Sequence, residues 1–295
     1  MSIHEFLFSP MMLRSLVVAL LVGLSAPIIG SYLVQRGMSL MGDGIGHIAL
    51  TGVAIGWIAG VWLHGDSTRY TIPCALIVCI LGALIIEWVR SSGYTSGDTA
   101  LAILFYGGIA CGVLLISLVD GTTANLNYFL FGSVTTVTNL DMWYTVALTA
   151  FLLVVGIGLR GPLFSVTNDE GFARASGLRI HLFNVLIATT AALTVAVAMR
   201  VVGVLLVSAM MIVPVATAQL VCHSVASTQR LSMAIGVVSS VSGLIITLYW
   251  SASPGAMIAV LLICIYALTA LISAVYRRNH RRVHERAKTA INNPA

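Results

Sequence analysis

Nine apolar runs, each close to the length of a membrane-crossing helix, make up most of this chain: Leu16 to Val34, Ile45 to Leu63, Thr71 to Val89, Thr99 to Val119, Met142 to Leu159, Leu182 to Met199, Val201 to Val221, Leu231 to Trp250 and Ala256 to Tyr276. About 20 apolar residues in a helix cross the hydrocarbon core of a bilayer. A chain inside that core must satisfy its own backbone hydrogen bonds, which a helix does within one segment. Only 8% of the 295 residues are charged and the mean hydropathy is +1.01, against roughly 25% charged in a water-soluble domain. A soluble fold is excluded. The expectation is an all-α polytopic transmembrane helix bundle of about nine spans, a single domain over residues 1–295 with no room for a separate soluble catalytic domain. The sixth and seventh runs are divided only by Arg200, so one of them is a candidate for a broken or re-entrant element, and counts of eight to ten stay open.

The first ten residues hold Glu5 and no Lys or Arg, and no small-residue cleavage pattern follows the first run, so the first helix is expected to stay in the membrane. The cysteines Cys74, Cys79, Cys111, Cys222 and Cys264 form no C-x-x-C pair and are read as small hydrophobes. The formal net charge of +5 does not point to nucleic acid, because Arg277, Arg278, Arg281, Arg282, Arg286 and Lys288 cluster in a tail (277–295) that suits anionic lipid. With the N-terminus outside, that tail and Arg36, Arg90, Arg160, Arg174, Arg179 and Arg230 are cytoplasmic, leaving Arg14, Arg69 and Arg200 outside. The positive-inside bias favours this placement.

Two polar interruptions differ in character. Asp120 to Asp141 carries Gly121, Asn125, Asn127 and Gly132 and no basic residue, as an external loop would. The segment 160–181 mixes both signs. Within it Asn168 can cap a helix, Asp169 and Glu170 fall in the first turn where negative charge complements the dipole, and Gly177 can close the helix in the left-handed region. This short cytoplasmic helix is too short and too charged to cross a bilayer, and another protein could push on it.

The stretch Gly37-Met38-Ser39-Leu40-Met41-Gly42-Asp43-Gly44-Ile45-Gly46-His47 carries the chemistry. Asp43 and His47 stand one helical turn apart on one face. Ionisable groups at the edge of a membrane segment are costly and point to a pore or a partner. A carboxylate and an imidazole suit Zn²⁺ or, with harder ligands added, Mn²⁺. The plain alternative is that Asp43 caps the helix and His47 bonds a neighbouring one. The glycines allow either irregular backbone at an ion path or close helix packing. Two ligands hold a transition metal poorly, whereas two copies facing each other across a dimer axis would supply four.

Asp98 reads as an N-cap rather than a ligand, Glu87 as an interfacial partner of Arg90, and His64, Asp66 and Asp120 as solvated external groups. No role is assigned to His223, His280 or His284. Pro214 marks a kink that either frees carbonyls for a path or serves packing alone. The sole lysine is Lys288, so no phosphate-binding loop exists in this chain, and any ATP must be bound by another polypeptide.

Six pieces in this order, RGMSLMGDGIGHIALTGVAIG, GDTALAILF, NYFLFGSVTTVTNLD, NDEGFARASGL, VVGVLLVSAMMIVPVATA and SASPGAMIAV, resemble the integral permeases of bacterial ABC-type importers for zinc, manganese and iron, from about Met11 to Tyr276. The resemblance implies a permease of the bacterial cytoplasmic membrane working as a homodimer, two cytoplasmic ATP-binding subunits and an extracytoplasmic metal-binding delivery protein. It implies no permanently bound cofactor, with Zn²⁺ favoured and Mn²⁺ or Fe²⁺ the other transported ions. Asp43 and His47 would lie on the metal path. Asn168, Asp169, Glu170, Ala173, Gly177 and Leu178 would form the coupling helix in a groove of the ATPase, although Gly171 and Phe172 stand where a second Glu and sometimes His are usual. The chain would be a transport subunit rather than an enzyme, working by alternating access. The competing reading is an ion-gradient-driven transporter or channel acting without an ATPase.

Overall fold

A computed structural model of the chain describes residues 9–64, 70–93, 96–118, 130–132, 137–250 and 253–292. Its principal elements are α1 (Pro10–Gln35), α2 (Met41–His64), α3 (Thr71–Ser92), α4 (Gly97–Leu118), α5 (Asn139–Gly158), α6 (Arg160–Asn168), α7 (Glu170–Ala175), α8 (Ile180–Val202), α9 (Val204–Gln219), α10 (Val225–Ile246) and α11 (Pro254–Asn292). Among the described residues there is no strand. Eight helices are long and apolar enough to span a bilayer, and α9 contains a shorter apolar stretch, Leu206–Gln219. The bundle is all-α and polytopic, and the chain is a multi-pass membrane protein. The expected external loop falls mostly on 119–129 and 133–136, and Asp66 and Asp120 also lie outside the described residues.

Helix α1 sits centrally, packed against α5, α8, α9 and α10, while α2 is sandwiched between α3 and α4. Close approach is bought by glycine. A Cβ on Gly23 would meet the Gly236 carbonyl at 2.6 Å, and one on Gly108 would meet His47 and Ile48 backbone at 2.8 Å. The outward surface carries Ile77, Leu81, Val113, Leu114, Val260 and Leu271 exposed, as a lipid-facing band requires. Trp62, Trp88, Trp143 and Trp250 are exposed near helix ends, at the depth where tryptophan suits a membrane interface.

The break between the sixth and seventh runs comes at Gly203 rather than at Arg200, through which α8 continues. Gly203 adopts φ +89°, and a Cβ there would run into the Gly132 amide and Phe131 carbonyl carbon. A left-handed backbone squeezed against another segment tolerates only glycine, so this residue and not the charged one sets the boundary. Helix α11 continues through residues 277–292 of the basic tail.

Candidate metal path and coupling segment

Asp43 lies in the first turn of α2 and is half-buried, and His47 one turn on is 5% exposed. The glycines around them lie within a regular helix, and Gly46 is the tightly packed one: a Cβ there would reach Val204 at 3.0 Å, whereas one on Gly42 would make ordinary contact with Met211 Sδ at 3.4 Å. Gly37 is different, at φ +71° in the turn between α1 and α2.

The His47 imidazole is held edge-on by Phe105 of α4, with ring centroids 4.2 Å apart. Its Nδ1 is buried and has no hydrogen-bond partner. An orphaned ring nitrogen at low exposure is costly unless something satisfies it. The Asp43 carboxylate lies within coulombic reach of the ring. Asp43 also lines a groove of about 300 Å³ with Leu40, Asp98, Leu101, Ala102, Phe105 and Tyr106. Among the described residues no three His, Cys, Asp or Glu side chains lie close enough to hold a metal ion.

Asp98 is not the N-cap. Ser96 takes that position, accepting from the Thr99 amide at 3.2 Å, and Asp98 sits in the first turn of α4 and lines the groove shared with Asp43. Its place opposite Asp43 depends on the α2–α4 packing, which local sequence does not encode.

The segment expected to couple to an ATPase differs in one residue from the sequence reading. Asn168 is the last residue of α6, a helix of nine residues that the charge pattern did not reveal, and Asp169 is the N-cap of α7. Capping needs an extended backbone, which Asp169 has at φ −149°, ψ 99°, and its Oδ1 accepts from the Phe172 amide at 3.0 Å. Glu170 opens α7 and Ala173 is its buried residue. Gly177 closes the turn at φ +80°, with its amide donating to the Arg174 carbonyl and that of Leu178 to the Ala173 carbonyl, the paired bonds of a Schellman motif. Phe172 projects outward, 63% exposed.

Glu87 pairs with Arg90 as expected, at 3.2 Å, and also with Arg36 at 3.0 Å. The five cysteines are free. Pro214 lies within α9 without ending it.

The sequence profile of the ABC 3 transport family matches residues 9–273. The chain belongs to that family. Among its ABC 3 relatives, the manganese transport system membrane protein MntC of Halalkalibacterium halodurans is 32% identical over 260 residues, covering 88% of this chain and 86% of that protein. The manganese import system permease protein ScaB of Streptococcus parasanguinis is 32% identical over 266 residues, covering 90% and 92%. In three dimensions the chain superposes on PsaBC from Streptococcus pneumoniae in complex with Fab with a TM-score of 0.79 at 29% identity, covering 90% of this chain and 94% of that one. The chain is thus a multi-pass membrane protein of the ABC 3 transport family.

Proposed function

We propose that two copies of this permease enclose the membrane path of an ATP-driven importer for a divalent transition metal, with manganese the preferred ion. The observation that carries this reading is the incompleteness of the site in one copy. His47 presents a buried, unpartnered Nδ1 beside Asp43, and no third ligand accompanies them among the described residues. A second copy facing the first doubles the set to two carboxylates and two imidazoles, enough to replace much of an ion's hydration. Asp98, which lines the same groove as Asp43, adds negative charge that attracts a dication without ligating it. The two manganese relatives move the favoured ion from zinc to manganese.

In this reading the N-terminus is outside and α6–α7 faces the cytoplasm, where two ATP-binding subunits dock on the segment that carries exposed Phe172. Asn168, Asp169, Glu170, Ala173, Gly177 and Leu178 shape that segment. ATP-driven closure of the partners displaces it and rocks the two copies between outward and inward openings, while a delivery protein loads the ion from outside. Hydrolysis belongs to the partners.

The test is the complex of this chain with its ATPase subunits and delivery protein in proteoliposomes, supplied with Mn²⁺, Zn²⁺ or Fe²⁺. ATP-dependent uptake greatest for Mn²⁺ is expected. Uptake by the chain alone, without ATP, would establish the gradient-driven alternative instead.

A further inference from the structure

At the end of the bundle that carries Asp43, four charged side chains from separate parts of the chain meet. Arg36 caps α1, Glu87 and Arg90 lie in the last turns of α3, and Glu170 opens α7. Arg36 Nη2 lies 3.0 Å from Glu87 Oε1 and 3.6 Å from Glu170 Oε1. Arg90 Nη2 lies 3.2 Å from Glu87 Oε1 and 3.0 Å from Glu170 Oε1. Asn184 Nδ2 of α8 also donates to Glu170 Oε1 at 3.3 Å.

The four are not equivalent. The side chains of Arg36 and Glu87 are 3% and 1% exposed, whereas those of Arg90 and Glu170 are 25% and 41% exposed. Separating the inner pair would strand a buried charge, so it is fixed. Glu170 can leave, because Glu87 remains as partner to both arginines. The buried Nε and Nη1 of Arg36 have no hydrogen-bond partner, so its guanidinium holds both carboxylates through Nη2 alone. A permanent inner pair with a detachable outer carboxylate is a two-state element.

The inner pair is also tied to the metal path. The turn after Arg36 is closed by bonds from the Gly37 amide to the Val34 carbonyl, from Met38 to Leu33 and from Met41 to Met38. That corner leads directly into α2 and its first-turn Asp43. A pull on Arg36 is therefore delivered to the start of α2.

We propose that Glu170 is a positioning residue whose ion pairs with Arg36 and Arg90 form a releasable clasp, through which movement of α7 is transmitted to the α1–α2 corner bearing Asp43. This rests on the proposed function. The short helix then acts on the permease through its own carboxylate, and Glu170 is turned toward the bundle while Phe172 is turned away from it.

The experiment measures manganese ions imported per ATP hydrolysed by the full complex in proteoliposomes, for wild type, Glu170→Gln, Arg90→Gln and the double variant. Each single variant is expected to lower the ratio about tenfold, within the range of an ordinary coupling free energy. ATP turnover by Arg90→Gln, and the melting temperature of every variant in detergent, should hold near wild type. The double variant should be no worse than Glu170→Gln alone, because that change already removes the Arg90–Glu170 pair through which Arg90 joins the clasp. An unchanged ratio in Glu170→Gln, multiplicative losses in the double, or a parallel fall in ATP turnover and melting temperature would each overturn the clasp. If Glu170→Gln fails to assemble, Arg90→Gln decides alone by the same ratio. A wild-type complex with no ATP-dependent uptake removes the proposed function itself, an outcome distinct from intact transport with unaltered coupling.

Discussion

Phe105 stands edge-on against His47, the ring planes inclined at 72°, and the same ring forms part of the wall of the groove that holds Asp43 and Asp98. One aromatic side chain thus touches the imidazole and bounds the space occupied by the two carboxylates.

If His47 and Asp43 contact the transported ion, His47→Ala and Asp43→Asn each reduce manganese uptake more than about tenfold, the scale on which metal-site changes act. Phe105→Leu keeps the apolar bulk and stays within about threefold of wild type. Radiolabelled manganese uptake in the reconstituted complex separates these outcomes. Full uptake by His47→Ala would remove the imidazole from the path.

Asp98→Asn removes one negative charge from the groove without changing its shape. The expected result is a higher half-saturating manganese concentration with little loss of maximal rate, since a carboxylate beside the proposed path would attract cations. A concentration series of uptake rates checks this, and a drop in maximal rate alone would argue against it.

Gly108→Ala places a Cβ 2.8 Å from the His47 and Ile48 backbone. Two helix backbones must separate, at about 1–3 kcal/mol. The melting temperature in detergent should fall by several degrees, as about 1 kcal/mol lowers it by roughly 2–4 °C in a chain of this size.

Gly203→Ala and Gly37→Ala offer a controlled comparison. Both residues have positive φ, but a Cβ on Gly37 meets nothing within 4 Å whereas one on Gly203 meets backbone. Gly37→Ala should cost about 1 kcal/mol from left-handed strain alone. Gly203→Ala adds the overlap and should lose most folded protein, measured as the monodisperse fraction after solubilisation.

Phe172→Ala leaves the fold untouched, because the ring is 63% exposed, and should weaken capture of the ATPase subunits by more than about 1 kcal/mol, as interface aromatics do. Co-purification at graded subunit concentrations reads this. Unaltered capture would place the docking surface elsewhere.

The apolar runs alone determined that this chain is an all-helical membrane bundle, because hydrocarbon leaves a backbone no other way to satisfy itself within one segment. The sequence likewise placed Asp43 and His47 a turn apart and Gly177 at the end of the short helix, since these depend on spacing and on one residue's conformational freedom. It did not place Asp98 in the groove with Asp43, put the cap at Asp169 instead of Asn168, or join Glu170 to Arg36. Helices α2 and α4 meet because Gly108 lets their backbones touch, and the clasp forms because α1 and α3 end where α7 begins. Those relationships are set by packing between segments distant in the chain, and only the tertiary structure decided them.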